Sequence, residues 1–352
     1  MATQETQILD DIIVNSRRKM LAFSATALAG LVVGCSDNGT TTLPTASGSY
    51  SDADILNFAL NLEYLEANFY YLAAFGCTIN LPNAAAIAAG APSAGIPITG
   101  SVGAAGTVSG GSKVPFTTVT AASYATETAI EEGKHVLFLQ SALGSAAVAQ
   151  PAINLGASWQ TLATAAGIAG GSSFSPYVND NDFLIGAYVF EDVGVTAYHG
   201  AASLLTVSGN LSAAAGIMAV EAYHAGLIRT SLNYIDPTGA LGLIGLTTQI
   251  SALRATLAGQ VPQSPASPYD TAPDDFGLGA FSVTLGGATG YTATRLTDAD
   301  ATNVIAFARS TTQVLNIVTG GGAYNATTKA VVSPATGVFF PAGLNAGPYG
   351  FR

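Results

Sequence analysis

Two short words in the chain could do chemistry: Glu132-Gly133-Lys134-His135 and Glu221-Ala222-Tyr223-His224. Each sets a carboxylate three residues ahead of an imidazole, a spacing that brings the two groups side by side on one face of an α-helix. Hard carboxylate oxygens beside imidazole nitrogens are the donors of a divalent transition-metal site. Three histidines and eight glutamates placed at random in 352 residues would form roughly 0.07 such pairs. Two are present.

Such donors need helices to aim them, and four segments carry a helical pattern. The first runs from Ser51, where Ser51-x-x-Asp54 reads as an N-terminal cap, through Phe75. The others are expected around 121–143, 181–205 and 211–235, the last stopped by Asp236-Pro237. Successive residues turn by about 100°, so each inward face can be read. Glu63 falls on the stripe of Leu56, Leu60, Ala67 and Tyr70, and Glu66 flanks it. Glu132 aligns with Val136, Leu139 and Leu143, with His135 beside it. Glu191 aligns with Leu184, Ala187, Val195 and Tyr198, and Glu221 with Ile217, Ala225, Ile228 and Leu232, flanked by His224. On this reading Glu127, Glu131 and Lys134 share a solvated face, Asn57, Asn61 and Asn68 mark the solvent side of the first helix, and His199 is a surface or interface residue. Tyr64 and Tyr223 are expected to be packing residues.

Four inward carboxylates with no lysine or arginine on the same stripes are costly to bury. Two divalent ions shared by Glu63, Glu132, His135, Glu191, Glu221 and His224 would remove that cost; the competing reading is a bundle of satisfied core polar groups without metal. The design repeats. Glu63 precedes Tyr70 by seven, Glu191 precedes Tyr198 by seven, and each such helix is followed by one with Glu-x-x-His. Two similar helical hairpins about a pseudo-twofold axis are expected.

Around the bundle the pattern weakens. Residues 77–120, rich in Gly and Ala, read as an insertion between the first two helices, and 237–352 as a C-terminal extension. Within the extension, 238–258 suggests one or two short helices, 260–297 strands or loops, and 298–319 a further helix. The formal net charge of −11, with 11 Lys and Arg against 22 Asp and Glu, excludes nucleic acid as a partner. Residues 1–35 resemble a twin-arginine export signal, with Arg17 and Arg18 ahead of a short apolar run. "VVGC" resembles a lipoprotein cleavage box, which would make Cys35 a lipidated membrane attachment; 36–50 is a polar linker. The expected location is outside the cytoplasm: periplasmic, membrane-anchored or extracellular.

The stretches "NLEYLEANFY" and "EEGKH", with a second Glu-x-x-His on the fourth helix, resemble the ferritin-like superfamily of di-metal carboxylate proteins. "LNFALNLEYLEANFYYLAAFG" and "IAFARSTTQVLNIV…GVFFPAGLN" are similar to its desiccation-related group, although Asn68 stands where that group often has a glutamate. The resemblance implies a mainly α protein built on a ferritin-like four-helix bundle over 51–236. It implies two iron or two manganese ions, with Glu132 and Glu221 bridging, Glu63 and Glu191 terminal, and one histidine on each metal. Tyr70 and Tyr198 would be hydrogen-bond donors around the metals or redox-active residues, with plain packing as the competing reading, and Glu66 an auxiliary or shuttling ligand. The implied function is redox chemistry toward peroxide, oxygen or ferrous ion, of peroxidase, catalase or ferroxidase type, in stress protection. The alternative is metal storage, or a desiccation-protective structural protein in which the metals act as a staple. A homo-oligomer is compatible with either, but the insertion and extension do not suit a closed storage shell.

Overall fold

A computed structural model describes residues 50–261, 274–285, 288–325, 327–332 and 335–345. Residues 1–49, on which the expected export signal, Cys35 and the linker fall, lie outside the described residues. The chain is mainly helical. Four long helices carry it: α1 (Asp52–Phe75), α3 (Val119–Leu143), α5 (Asp180–Ala202) and α6 (Ser208–Ile235). Shorter ones are α2 (Ala84–Ala89), α4 (Ala157–Ala165), α7 (Leu243–Gln260) and α8 (Thr311–Val318).

Local chemistry sets the ends of these helices. The Ser51 hydroxyl accepts from the Asp54 amide, and the Asp54 carboxylate accepts from the Ser51 amide at 2.8 Å, closing a capping box. Gly76, left-handed at φ 74°, ends α1 by returning its N–H to Tyr71 and Leu72. The start of α6 has no capping side chain of its own; Asp52 of α1 instead accepts from the amides of Thr206 and Val207 and from Asn210. Asp180, at the head of α5, takes the amides and hydroxyls of Thr117 and Thr118 ahead of α3. The four helix starts are thus tied in two pairs. Along their lengths α1 packs on α3 and α5 on α6, so the bundle consists of two hairpins.

Small sheets decorate it. β1 (Val108–Gly110) pairs in parallel with β2 (Ile153–Leu155), and β3 (Ala280–Leu285) antiparallel with β4 (Ala288–Thr294). β5 (Tyr324–Asn325) pairs antiparallel with β6 (Ala330–Val331) within the extension.

Three expectations need correction. Asn57, Asn61 and Asn68 do not face solvent; they are 4%, 1% and 0% exposed. Asn57 bonds the Ala146 carbonyl and Val148 amide, Asn61 exchanges two bonds with the Asn345 backbone, and Asn68 donates to Gln150. Irregular chain packed over a helix brings backbone groups that need partners, and buried asparagine supplies both a donor and an acceptor. Tyr223 does not pack; it is 73% exposed. His199 is half-buried, with its Nδ1 3.2 Å from the Phe307 carbonyl. The helix expected over 298–319 is only α8. The Asp300 carboxylate takes the amides of Thr302, Asn303 and Ile305, holding a turn where a helix would need those donors elsewhere. The helix then starts at Ser310 with its own capping box to Gln313.

A buried charge network fastens the extension to the bundle. Arg229 of α6 and Arg254 of α7 both donate to Asp192 of α5, and Tyr188 lies under both guanidinium groups. Asp275 accepts from Arg254 and Arg309 at 2.8 Å each. Removing one partner of such a pair strands the others without water. Asp275→Ala is expected to lower stability by about 3–5 kcal/mol, measured by denaturant unfolding with Asp300→Ala, which removes a turn-holding carboxylate outside this network, as the comparison.

Candidate metal centre

Each long helix delivers one glutamate to the bundle interior. Glu63, Glu132, Glu191 and Glu221 are 1%, 0%, 0% and 0% exposed, and His135 and His224 are buried beside them. Their donor atoms fall into two overlapping groups: Glu63, Glu132, His135 and Glu221 in one, Glu132, Glu191 and His224 in the other, each within 4.8 Å. His135 Nδ1 lies 3.3 Å from Glu63 Oε2, 3.3 Å from Glu132 Oε2 and 3.6 Å from Glu221 Oε1. His224 Nδ1 lies 3.0 Å from Glu132 Oε1 and 3.3 Å from Glu191 Oε2. Glu132 is therefore common to both groups, whereas Glu221 falls with the first alone.

The tyrosines cross between hairpins. Tyr70 of α1 donates to Glu191 Oε1 of α5, and Tyr198 of α5 donates to Glu63 Oε1 of α1. This reciprocity explains the repeated seven-residue spacing. It also leaves one oxygen on each terminal glutamate facing inward. Glu63 Oε2, Glu132 Oε1, Glu191 Oε2, both oxygens of Glu221 and His224 Nδ1 are buried without a hydrogen-bond partner. The His224 Nδ1 contacts are close yet form no hydrogen bond. Carboxylate lone pairs crowded around two imidazoles, several of them without a hydrogen-bond partner, fit a cation, and the oxygen-rich set with imidazole suits iron or manganese.

Without a cation, protons must carry the balance. Burial pushes Glu63 up to about 7 and raises Glu66, Glu191 and Glu221, Glu66 and Glu221 well above the carboxylate range. Glu132 moves the other way: burial opposes ionisation, but the His135 and His224 imidazoles outweigh it. Burial likewise disfavours charge on His135, yet the Glu63 and Glu132 carboxylates raise it to about 12; Glu191 and Glu132 raise His224 in the same way.

Two residues in the site escaped the sequence reading. Glu131, read as solvated, reaches His224 Nε2 at 2.8 Å while staying partly exposed. The face test cannot see this bond, because its partner sits on another helix. Glu131 fixes the ring so that Nδ1 faces the cluster, and a groove of about 580 Å³ between α3 and α6, lined by Glu127, Glu131 and Tyr223, leads to that same histidine. Glu131→Gln keeps the shape and removes the charge. It is expected to weaken metal binding about 10–100-fold, read by competition with a chelator dye.

Gly194 is the second. A Cβ there would sit 2.1 Å from Glu221 Oε2, so the missing side chain makes room for the carboxylate. A glycine inside a helix, costing about 1 kcal/mol against alanine, was the available signal. Glu66, 6% exposed, has its carboxyl close enough to feel Glu132, Glu191 and Glu63; it is buried at the edge of the cluster.

A family model described as a ferritin-like domain matches residues 51–234. The desiccation-related protein PCC13-62 of Craterostigma plantagineum is 33% identical over 216 residues, covering 59% of this chain and 62% of the relative's own length. No solved structure matches the chain significantly. With four helices converging on a carboxylate–histidine cluster and more than half of its residues matched, the chain belongs to the ferritin-like domain family.

Proposed function

We propose that the cluster holds two iron or two manganese ions through Glu63, Glu132, His135, Glu191, Glu221 and His224, and that the loaded protein is redox-active toward peroxide, oxygen or ferrous ion. The observation that carries this reading is the set of buried donor atoms left without hydrogen bonds around Glu132. When bound, such an ion pair supplies one-electron steps between divalent and trivalent states. The chain's own groups orient and shield it: Tyr70 and Tyr198 hold the terminal glutamates, Glu131 holds His224, and the packed bundle excludes bulk water. The relative's name speaks of desiccation, and protection against stress is the role we assign to this chain. Export through the twin-arginine-like segment, with attachment at Cys35, belongs to the same proposal.

One observation favours a second reading, a metal staple without turnover. Each donor group takes residues from both hairpins, Glu221 joining the first and Glu132 the second, so a bound ion cross-links them. Elemental analysis of the purified protein tests the site: two iron or manganese ions per chain are expected, and a chain isolated without either metal overturns both readings. Peroxide or oxygen mixing with the reduced loaded protein then separates them. A change in metal oxidation state supports turnover, and none supports the staple.

A further inference from the structure

An apolar cavity of about 50 Å³ lies where α4, α7 and the C-terminal segment meet α1 and α5 of the bundle. Its wall joins Leu65 of α1, Trp159 of α4, Phe190 of α5, Leu257 of α7 and Phe339 of the C-terminal segment. The extension and the α4 segment therefore build a chamber that the four long helices alone would lack. Its inner end is closed by Glu66 and Gly194, and a second apolar cavity of about 20 Å³ between α1, α5 and α6 shares those two residues and Leu62. Gly194 is also where Glu221 rests its carboxylate. The chamber thus backs directly onto the first donor group.

Its chemistry selects the occupant. Arg254, the only other charged residue on the wall among the described residues, has its guanidinium held by Asp192 and Asp275. An ion or peroxide entering here would lose water and gain few hydrogen bonds. The groove at His224, with Glu127, Thr128, Glu131 and Thr230 on its wall, offers such solutes more hydrogen-bonding partners. One water needs roughly 10–15 Å³ by this measure, and apolar cavities stay dry and take up apolar atoms. The space suits a molecule of two or three heavy atoms. The outer side, at Leu162, Ile168 and Leu253, is only half-buried and gives onto solvent.

We propose that this chamber binds dioxygen and conducts it to the carboxylate cluster, past Glu66 and Gly194. The proposal rests on the redox reading above for its purpose, but binding at the chamber does not require metal. Crystals of the full chain under xenon pressure are expected to show xenon between Leu65, Trp159 and Leu257, and Leu253→Trp, at the mouth, is expected to remove it. In metal-loaded protein the same variant should slow oxidation by dioxygen about tenfold or more, with oxidation by hydrogen peroxide unchanged. Leu162→Trp, across the mouth, serves as a second plug should Leu253→Trp not fold. Absence of xenon from the chamber, or an unchanged dioxygen rate in a plugged variant, overturns the proposal. Protein that is isolated without iron or manganese overturns the redox reading, and xenon in its chamber would leave the binding part of the proposal standing.

Discussion

Glu132→Gln is expected to abolish binding of both cations, whereas Glu191→Gln is expected to leave about one per chain. The difference follows from which donors are shared. Glu132 turns Oε1 toward His224 and Oε2 toward His135, and it is the one residue present in both donor groups. Glu191 serves only the group of His224. Glutamine keeps the volume of the side chain, so packing is conserved, but it removes the charge and turns one acceptor into a donor aimed at an imidazole. Loss of an outer partner weakens a metal site about 10–100-fold, and loss of a shared ligand should exceed that at both positions. Equilibrium dialysis followed by elemental analysis reads the stoichiometry, and circular dichroism confirms that the helices remain. Two tightly held cations in Glu132→Gln would refute the shared position of this residue.

The donors themselves were legible because they obey a local rule. Helical rotation places Glu63, Glu132, Glu191 and Glu221 on apolar stripes whatever the rest of the chain does, and each proves buried. What the sequence hid depends on distant partners. Asn57, Asn61 and Asn68 sit at helical spacing on a polar stripe, which looks like a wet face until residues 146–150 and Asn345 are seen covering it. Glu131 shares its face with Glu127 and Lys134, and only the approach of α6 makes it a partner of His224. Arg229, Arg254 and Arg309 are scattered in sequence and meet at Asp192 and Asp275 only after the extension folds back. The missing helix at 298–310 is the converse case, in which one side chain, Asp300, overrode a permissive helical pattern by local hydrogen bonding.

Removing the metal is expected to destabilise the protein by an amount that grows with pH, and the sign follows from the buried groups. In the metal-free fold Glu63 is raised from 4.5 to about 7, so its proton-linked stabilisation is complete below pH 4.5 and is lost as pH rises through 7. His135 is raised from 6.5 to about 12 by its carboxylate neighbours against the pull of burial. Its contribution is complete below pH 6.5 and declines as pH climbs toward 12. Glu132, depressed, contributes above 4.5 and loses its contribution only in acid, so it does not reverse the trend at neutral pH. The metal-free protein should therefore weaken between pH 5 and 8. Cation binding needs ionised carboxylates and neutral imidazoles and releases the protons that occupied them, so the loaded protein gains over the same range. With each free ion at about 100 times its Kd, two sites add on the order of 5 kcal/mol, or roughly 10–20 °C in Tm. Melting the loaded and the chelated protein across this range should show a gap that widens toward pH 8. A gap that narrows instead would mean that the cluster is built to hold protons, and the buried donors around Glu132 would then need another occupant than metal.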